Sequence, residues 1–254
     1  MTTVDLNTDC GESFGPWAMG DDAAILKVAT SANIACGFHA GDYGTMAQTI
    51  NIAKANGVSI GAHPGFDDKQ GFGRRVIPMA PEDITKMVAY QIGAMQAMAA
   101  LEGAEVTHVK AHGALSNYAS AHGPAADAVA AAVKGVDPSL TLLAVATTEL
   151  ERAGREAGLN VAAEIFADRA YEPNGQLVSR AKPNAMIHDP ALAAERMVEM
   201  VSDGVLLAHD GSRIKTAVDS ICVHGDGPEA VAIAKAVRSA LEAANITVAP
   251  FRTA

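Results

Sequence analysis

Seven times along this chain a short apolar run ends in a polar, glycine-rich cluster, and helical stretches separate most of these runs. The clusters fall at residues 7–12, 36–42, 63–68, 110–113, 147–149, 167–171 and 224–226. Repeated strand–cluster–helix units have few ways to bury their strands. Such strands pair in parallel with helices packed outside them. Closed into a (βα) barrel, they bring every C-terminal strand end to one face, so residues distant in sequence meet in one pocket. The pattern predicts an α/β fold of seven or eight βα units with an enzyme's site at the barrel mouth. A doubly wound open sheet is the alternative. No GxGxxG or GxxxxGK[ST] stands at a strand–helix junction, which argues against a nucleotide-binding Rossmann or P-loop fold.

The length of 254 residues suits one barrel, so residues 1–254 read as a single domain without a linker. Hydrophobic residues make up 49% but aromatics only 4%, so Ala, Val, Ile, Leu and Met must fill the core. A net charge of −10 argues against binding nucleic-acid phosphates. Cys10, Cys36 and Cys222 are far apart with no CxxC, which suggests reduced thiols and a cytoplasmic setting. We find no secretory signal pattern and no apolar run long enough for a membrane span.

Strands are predicted at residues 4–6, 32–36, 58–62, 106–109, 140–146, 161–166 and 221–223, with a terminal strand at 246–251. Helices are predicted from Asp21 through Ala29, at 43–56, from Pro81 to about Gly103, at 124–134, from Thr148 to Gly158, from Asp189 to Gly204, and from Pro228 to about Asn245. Thr148 and Glu151 have capping-box spacing. Residues 204–219 break the alternation, with a hairpin turn at Asp210-Gly211 between 205–207 and 214–216. The loop 67–78 is long for a compact domain, which marks it as functional or mobile.

Asp5, Asn7 and Asp9 share one face of the first strand, because side chains alternate with a period of two. With Glu12 they can hold a hard cation or a general base, or simply make a turn. His39, His63, His112 and His224 all stand at predicted strand ends, whereas His108, His122, His188 and His209 read as surface or structural. Imidazole serves as acid, base or metal ligand near neutral pH. No spacing matches HExxH or a Cys/His zinc site. Cations are scarce at this face: Lys110, Arg74, Arg75, Arg169 and Arg180. Arg74 reads as functional, Arg75 as a solvated surface residue, and Arg169 as a partner for Asp168 or an anion. Asp42 can cap the following helix. Cys36 lies near His39 in sequence, but buried inert thiols are the preferred reading for Cys36 and Cys222. No GxSxG occurs, which argues against a hydrolase serine.

The motifs at 5–15, 33–42, 71–75, 109–115, 164–171 and 221–226 resemble the LamB/YcsF family, in order and over residues 4 to about 251. Thr8, Cys10, Ala111 and Ser116 stand where that family usually has Cys, Leu, Pro and Tyr. Positions 8 and 10 therefore supply no obligatory thiol, and Ser116 removes an aromatic wall. The resemblance implies an irregular seven-stranded TIM-like (βα) barrel, similar to glycoside hydrolase and deacetylase barrels. It also implies ATP-dependent opening of the lactam of 5-oxo-L-proline to L-glutamate, with Mg²⁺ on the ATP and with B and C subunits as partners. The catalytic candidates are then Asp9, Glu12, His39, His63, Lys110, His112 and Asp168. Asn7, Asn33, Asp42, Arg74, Arg169 and His224 are candidates for substrate contact, with Lys110 and Arg74 on phosphate or carboxylate. Deacetylase barrels hold a metal on Asp/His/His, which by analogy nominates Asp9, His39 and His63. Two other readings stand beside this one: a stand-alone metal-dependent amide hydrolase, and a non-catalytic subunit that delivers substrate.

Overall fold

A computed structural model describes residues 2–225 and 229–251. In chain order the strands are β1 (Thr3–Cys10), β2 (Ser31–Ala35), β3 (Ser59–His63), β4 (Val106–Lys110), β5 (Thr141–Val145), β6 (Asn160–Phe166), β7 (Val205–Leu207), β8 (Arg213–Lys215), β9 (Ser220–His224) and β10 (Thr247–Val248). The helices are α1 (Asp22–Ile25), α2 (Tyr43–Ala55), α3 (Pro81–Leu101), α4 (Gly113–Ala121), α5 (Gly123–Val136), α6 (Glu149–Glu156), α7 (Pro190–Asp203) and α8 (Ala230–Ala243). β1 to β6 pair in parallel in sequence order, β6 pairs with β9, and β9 closes the ring on β1 from Asp5↔Ser220 to Asp9↔His224. The result is a closed seven-stranded parallel barrel with helices around it. Among the described residues no helix is long and apolar enough to cross a membrane.

The local chemistry explains most of these elements. Pro81 opens α3, Glu82 and Asp83 favour its positive N-terminus, and Ile84, Met87, Val88, Ile92, Met95 and Ala99 form its buried stripe. Asp42 caps α2 by accepting from Thr45 N at 2.9 Å. Asp189 caps α7 at Ala191 N, and Gly204 ends that helix at φ +62°.

Several expectations change. β1 runs to Cys10 rather than stopping at Leu6, because Asn7 and Asp9 find partners inside the barrel. Asp21 does cap a helix, but α1 is a single turn that ends at Ile25 rather than Ala29. α4 lies where no helix was predicted. The capping box does not form: Glu151 accepts from Thr147 N, and the Thr148 hydroxyl donates to Val145 O. β7 and β8 make the expected hairpin, with β8 starting one residue earlier, and they lie outside the barrel sheet. The terminal strand shrinks to Thr247–Val248, paired with the start of β1. Pro228 and Asp226 fall outside the described residues.

The barrel interior is polar. Asp5, Asn7, Asn33, His108, Glu164 and Ser220 are all buried. His108 is thus interior, bonded to Asn33 Oδ1 at 3.0 Å. Its ring fits because residue 61 is glycine: a Cβ there would lie 2.2 Å from His108 Nε2. Asp5 accepts from the hydroxyls of Thr30, Ser31 and Ser220, and burial pushes its carboxyl up to about 6.

Candidate active site

The deepest part of the mouth is an ion cluster on β1, β4 and β6. Lys110 Nζ lies 2.9 Å from Asp9 Oδ1 and 2.8 Å from Glu164 Oε1, and it donates to Asn7 Oδ1 at 3.2 Å and Cys222 Sγ at 3.0 Å. Asn33 Nδ2 donates to both Asn7 Oδ1 (2.7 Å) and Asp9 Oδ1 (2.9 Å). Asn7 Nδ2 donates to Glu164 Oε1 at 2.9 Å. Burial works against the Lys110 charge, but Asp9 above all outweighs it and raises the ammonium well above its ordinary range. Burial would raise Asp9, yet His63 and Lys110 hold its carboxyl well below the usual carboxylate range. Glu164 is raised by burial, with Lys110 opposing. Lys110 is therefore paired with two carboxylates at the floor of the mouth.

Beside this cluster, on the ends of β1, β3 and β4 and on the loop after β2, stand Glu12, His39, His63 and His112, all buried. His63 Nδ1 donates to Lys110 O at 2.8 Å, and His112 Nε2 donates to Phe72 O at 2.8 Å. These two carbonyls assign the tautomers. The atoms left facing each other are His63 Nε2 and His112 Nδ1, 3.0 Å apart. In neutral rings both carry lone pairs, so a proton or another cation belongs between them. Burial, then the neighbouring histidines, pushes His39 well below its ordinary value; burial and His63 do the same to His112. His39 stacks flat on His112 with ring centroids 3.6 Å apart, and its Nδ1 is buried without a hydrogen-bond partner.

The donor geometry also suits a metal ion. Tetrahedral coordination at about 2.0–2.1 Å places ligand atoms roughly 3.4 Å apart. Here His63 Nε2–His112 Nδ1 is 3.0 Å, His39 Nε2–Glu12 Oε1 is 3.2 Å and His112 Nδ1–Glu12 Oε1 is 3.5 Å. Among the described residues the geometry offers two donor sets, Glu12, His39, His63 and His112, and separately Asp9, Cys222 and His224. Asp9 Oδ2 reaches His63 Nε2 at 3.5 Å, but its other oxygen belongs to Lys110 and Asn33.

Above these groups opens a cavity of about 450 Å³, lined by Glu12, Phe72, Arg74, Lys110, His112, Arg169, Arg180 and His224 among others. Asp168 bonds His224 Nδ1 at 2.7 Å; burial would raise this carboxyl, but His224 keeps it low. Arg169 therefore does not take Asp168 as its hydrogen-bond partner: its Nη2 donates to Val178 O at 2.7 Å. Arg74 lies over the Phe72 ring, 4.8 Å from its centroid. Arg75 instead pairs with Asp68 at the surface.

Of the sequence candidates, Asp9, Glu12, Arg74, Lys110, His112, Arg169 and His224 line the cavity. His39 and His63 sit behind His112, and Asp168 sits behind His224. Asn7 and Asn33 hold Asp9 and Lys110 from beneath, and Asp42 is a helix cap whose second oxygen accepts from Gly15 N at 2.7 Å. Cys36 is inert in this setting, its thiol pushed up to about 12 by burial. Cys222, expected to be a bystander, touches Lys110. Sequence reasoning missed Glu164 and the Phe72 carbonyl. Glu164 shares a strand face with Phe166 at the expected period of two, which was a usable sign; a carbonyl leaves none.

Residues 4–254 match the LamB/YcsF family. A protein from Rhodopseudomonas palustris (strain BisA53), named as the A subunit of 5-oxoprolinase, is 56% identical over 252 residues, covering 99% of either chain. The crystal structure of a lactam utilization protein from Thermus thermophilus is similar at TM-score 0.93 and 45% identity, over 98% of this chain and 100% of that one. The catalytic domain of a peptidoglycan N-acetylglucosamine deacetylase from Eubacterium rectale ATCC 33656 shares the fold at TM-score 0.54 and 11% identity, over 99% of this chain and 89% of that one. On this full-length likeness, the chain belongs to the LamB/YcsF family.

Proposed function

We propose that this chain is the A subunit of an ATP-dependent 5-oxoprolinase. It acts with B and C subunits to open the lactam of 5-oxo-L-proline to L-glutamate, with Mg²⁺–ATP as co-substrate. Full-length relatives that carry the subunit name support the reading. The observation that carries it is the juxtaposition of a buried histidine–carboxylate cluster with an arginine-lined cavity. Opening an unactivated cyclic amide needs proton transfer, and coupling it to ATP needs recognition of an anion.

In this reading the γ-phosphoryl group of ATP is transferred to the lactam oxygen, leaving ADP and an electrophilic ring carbon. Water adds to that carbon and gives its proton to the lone-pair face of His63 and His112. The ring C–N bond breaks as the nitrogen takes back the proton held by His63 and His112. The acyl phosphate that results is hydrolysed by a second water, releasing phosphate and L-glutamate. Lys110 keeps Asp9 ionised and fixed beside His63. Were a divalent ion held by Glu12, His39, His63 and His112, it would supply a Lewis acid in place of that histidine base.

The test is glutamate release from 5-oxoproline by the chain with its B and C partners, with and without Mg²⁺–ATP. Release only with every component present supports the reading. In that assembly His112→Gln should lower kcat by about 100-fold or more with the fold retained. Full release by the chain alone, without ATP, would overturn the reading in favour of a stand-alone amide hydrolase, which the histidine–carboxylate donor set also suits.

A further inference from the structure

We infer that residues 176–183 form a lid on the cavity, hinged at Gly175 and Asn184 and seen here in its closed position. The lid concerns access to the cavity, so it applies to any small ligand there and does not rest on the oxoprolinase reading. The connection between β6 and α7, residues 167–189, contains no helix or strand, only isolated bridges such as Tyr171↔Leu177. Irregular segments of that length inside a compact domain are usually lids or binding loops. This one carries Gln176, Leu177, Val178, Ser179, Arg180 and Ala181 into the cavity wall. Its first part is fixed to the barrel. Tyr171 is fully buried and its Oη accepts from Phe166 N at 2.7 Å, and Asp168 holds His224.

The two ends of the lid sit where a backbone can turn. Gly175 has φ +84° and Asn184 φ +62°, both in the left-handed region, and hinges are a few loop residues that absorb such φ/ψ changes. Between them the lid is latched at Val178. Its N–H donates to Ala170 O at 2.9 Å, its carbonyl accepts from Arg169 Nη2 at 2.7 Å, and its side chain packs with Ala170 and Ala185. These three small residues form a cluster apart from the main core. A latch with so little apolar surface opens far more readily than the barrel unfolds. Leu177 adds a partly buried contact with the main core, and Gln176 Nε2 donates to Ser120 O at 3.3 Å. The turn before the lid seats on the barrel rim, where a Cβ on Gly175 would run into Thr147 Oγ1. Thr147 follows β5 and is itself at φ +66°. Opening lifts Val178 O off Arg169 Nη2, so entry to the cavity and release of that donor at its wall are one event.

The test is hydrogen exchange of the isolated full-length chain in low concentrations of urea, resolved to single amides. The Val178 amide should exchange through local opening, about 100-fold or more faster than the amides of β5 and almost independently of urea. The β5 amides should follow global unfolding and its full urea dependence. Val178→Ala removes two buried methyl groups and should speed exchange at position 178 by about 10-fold. Gly175→Ala is strained at its positive φ and pressed on Thr147, so it should speed exchange there as well. Trypsin should cut the Arg180–Ala181 bond of the native chain at a rate that follows the same opening. Urea unfolding checks that each variant is folded; if one fails that check, the other carries the test with the wild type. The inference is overturned if the Val178 amide shares the rate and urea dependence of β5, if it shows no protection at all, or if a folded variant leaves its exchange unchanged. Glutamate release plays no part in the measurement. Loss of the oxoprolinase reading and loss of the lid are therefore separate outcomes.

Discussion

Replacing Lys110 by methionine should produce a large stability loss that depends on pH. In the folded chain one buried ammonium faces two buried carboxylates, Asp9 at 2.9 Å and Glu164 at 2.8 Å. Methionine keeps most of the side-chain volume and removes the charge. Breaking a buried ion pair by deleting one partner costs about 3–5 kcal/mol, because the other charge stays desolvated and unanswered. Here two carboxylates are left, and Asp9 already adds to the rise in Glu164. The sign follows from linkage. In wild type the depressed Asp9 contributes stability above the ordinary carboxylate range, lost as pH falls through its lowered value. Raised Lys110 contributes stability that is fully present below the ordinary lysine value and is lost only as pH rises through its higher folded one. In Lys110→Met the Lys110 contribution vanishes, the Asp9 contribution shrinks to what His63 and His224 still supply, and Glu164, already raised by burial, rises further. The deficit is then greatest at pH 8 and shrinks toward pH 5 as a proton replaces the ammonium. Urea unfolding of the isolated chain at these two pH values measures it. Adding Glu164→Gln to Lys110→Met should restore part of the loss at pH 8. A loss under about 1 kcal/mol at pH 8, or an equal loss at both pH values, would refute the argument that Lys110 holds the barrel centre by charge.

Asp5 ionises at about 6 in the folded chain against 3.8 ordinarily, so its contribution to stability is lost as pH rises from 3.8 to 6, a loss of about 3 kcal/mol. Asp5→Asn should flatten the pH dependence of the urea midpoint across that window, and an unchanged slope would count against the burial argument. Gly73→Ala should cost both stability and activity, because residue 73 has φ +61° and a Cβ there would lie 2.6 Å from His39 Cβ and 2.7 Å from His112 Cδ2. Gly93→Ala is its counterpart inside α3, where a Cβ meets nothing within 4 Å, and should stabilise the chain by about 0.5–1 kcal/mol in thermal unfolding. Tyr171→Phe removes the Oη that accepts from Phe166 N at 2.7 Å, and the orphaned N–H should cost about 1–3 kcal/mol in urea unfolding, whereas no measurable loss would mean that water reaches this amide.

The barrel was legible because its strands carry a strong period and end in conspicuous clusters. His39, His63, His112 and His224 were placed correctly at or near strand ends by that pattern alone. Local capping was less legible. Asp21, Asp42 and Asp189 do cap, since a short carboxylate beside a helix start has few other uses, whereas the Thr148/Glu151 spacing fits a box that does not form. α4 was missed because Ser116, Asn117 and Ser120 weaken helix propensity, and tertiary packing of Ala114, Leu115 and Ala119 overrides it. His108 reads from sequence as surface or structural because a histidine in a strand looks the same on either face; what puts it inside is the absent side chain at Gly61 on the neighbouring strand.

What the sequence left hidden are partnerships across the barrel. Lys110 reads from sequence as a contact for phosphate or carboxylate; with β4, β1 and β6 placed around one axis it also meets Asp9 and Glu164 at the floor of the cavity. The same holds for the histidines. Their types suggested acid, base or metal chemistry, but the choice of atom is made by two backbone carbonyls, Lys110 O and Phe72 O. Phe72 sits at φ +54°, in a conformation that side chains other than glycine rarely adopt. A strained residue whose carbonyl fixes the tautomer of His112 and whose ring carries Arg74 joins the proton-handling side of the cavity to its cationic side. Moving that one peptide would disturb both at once.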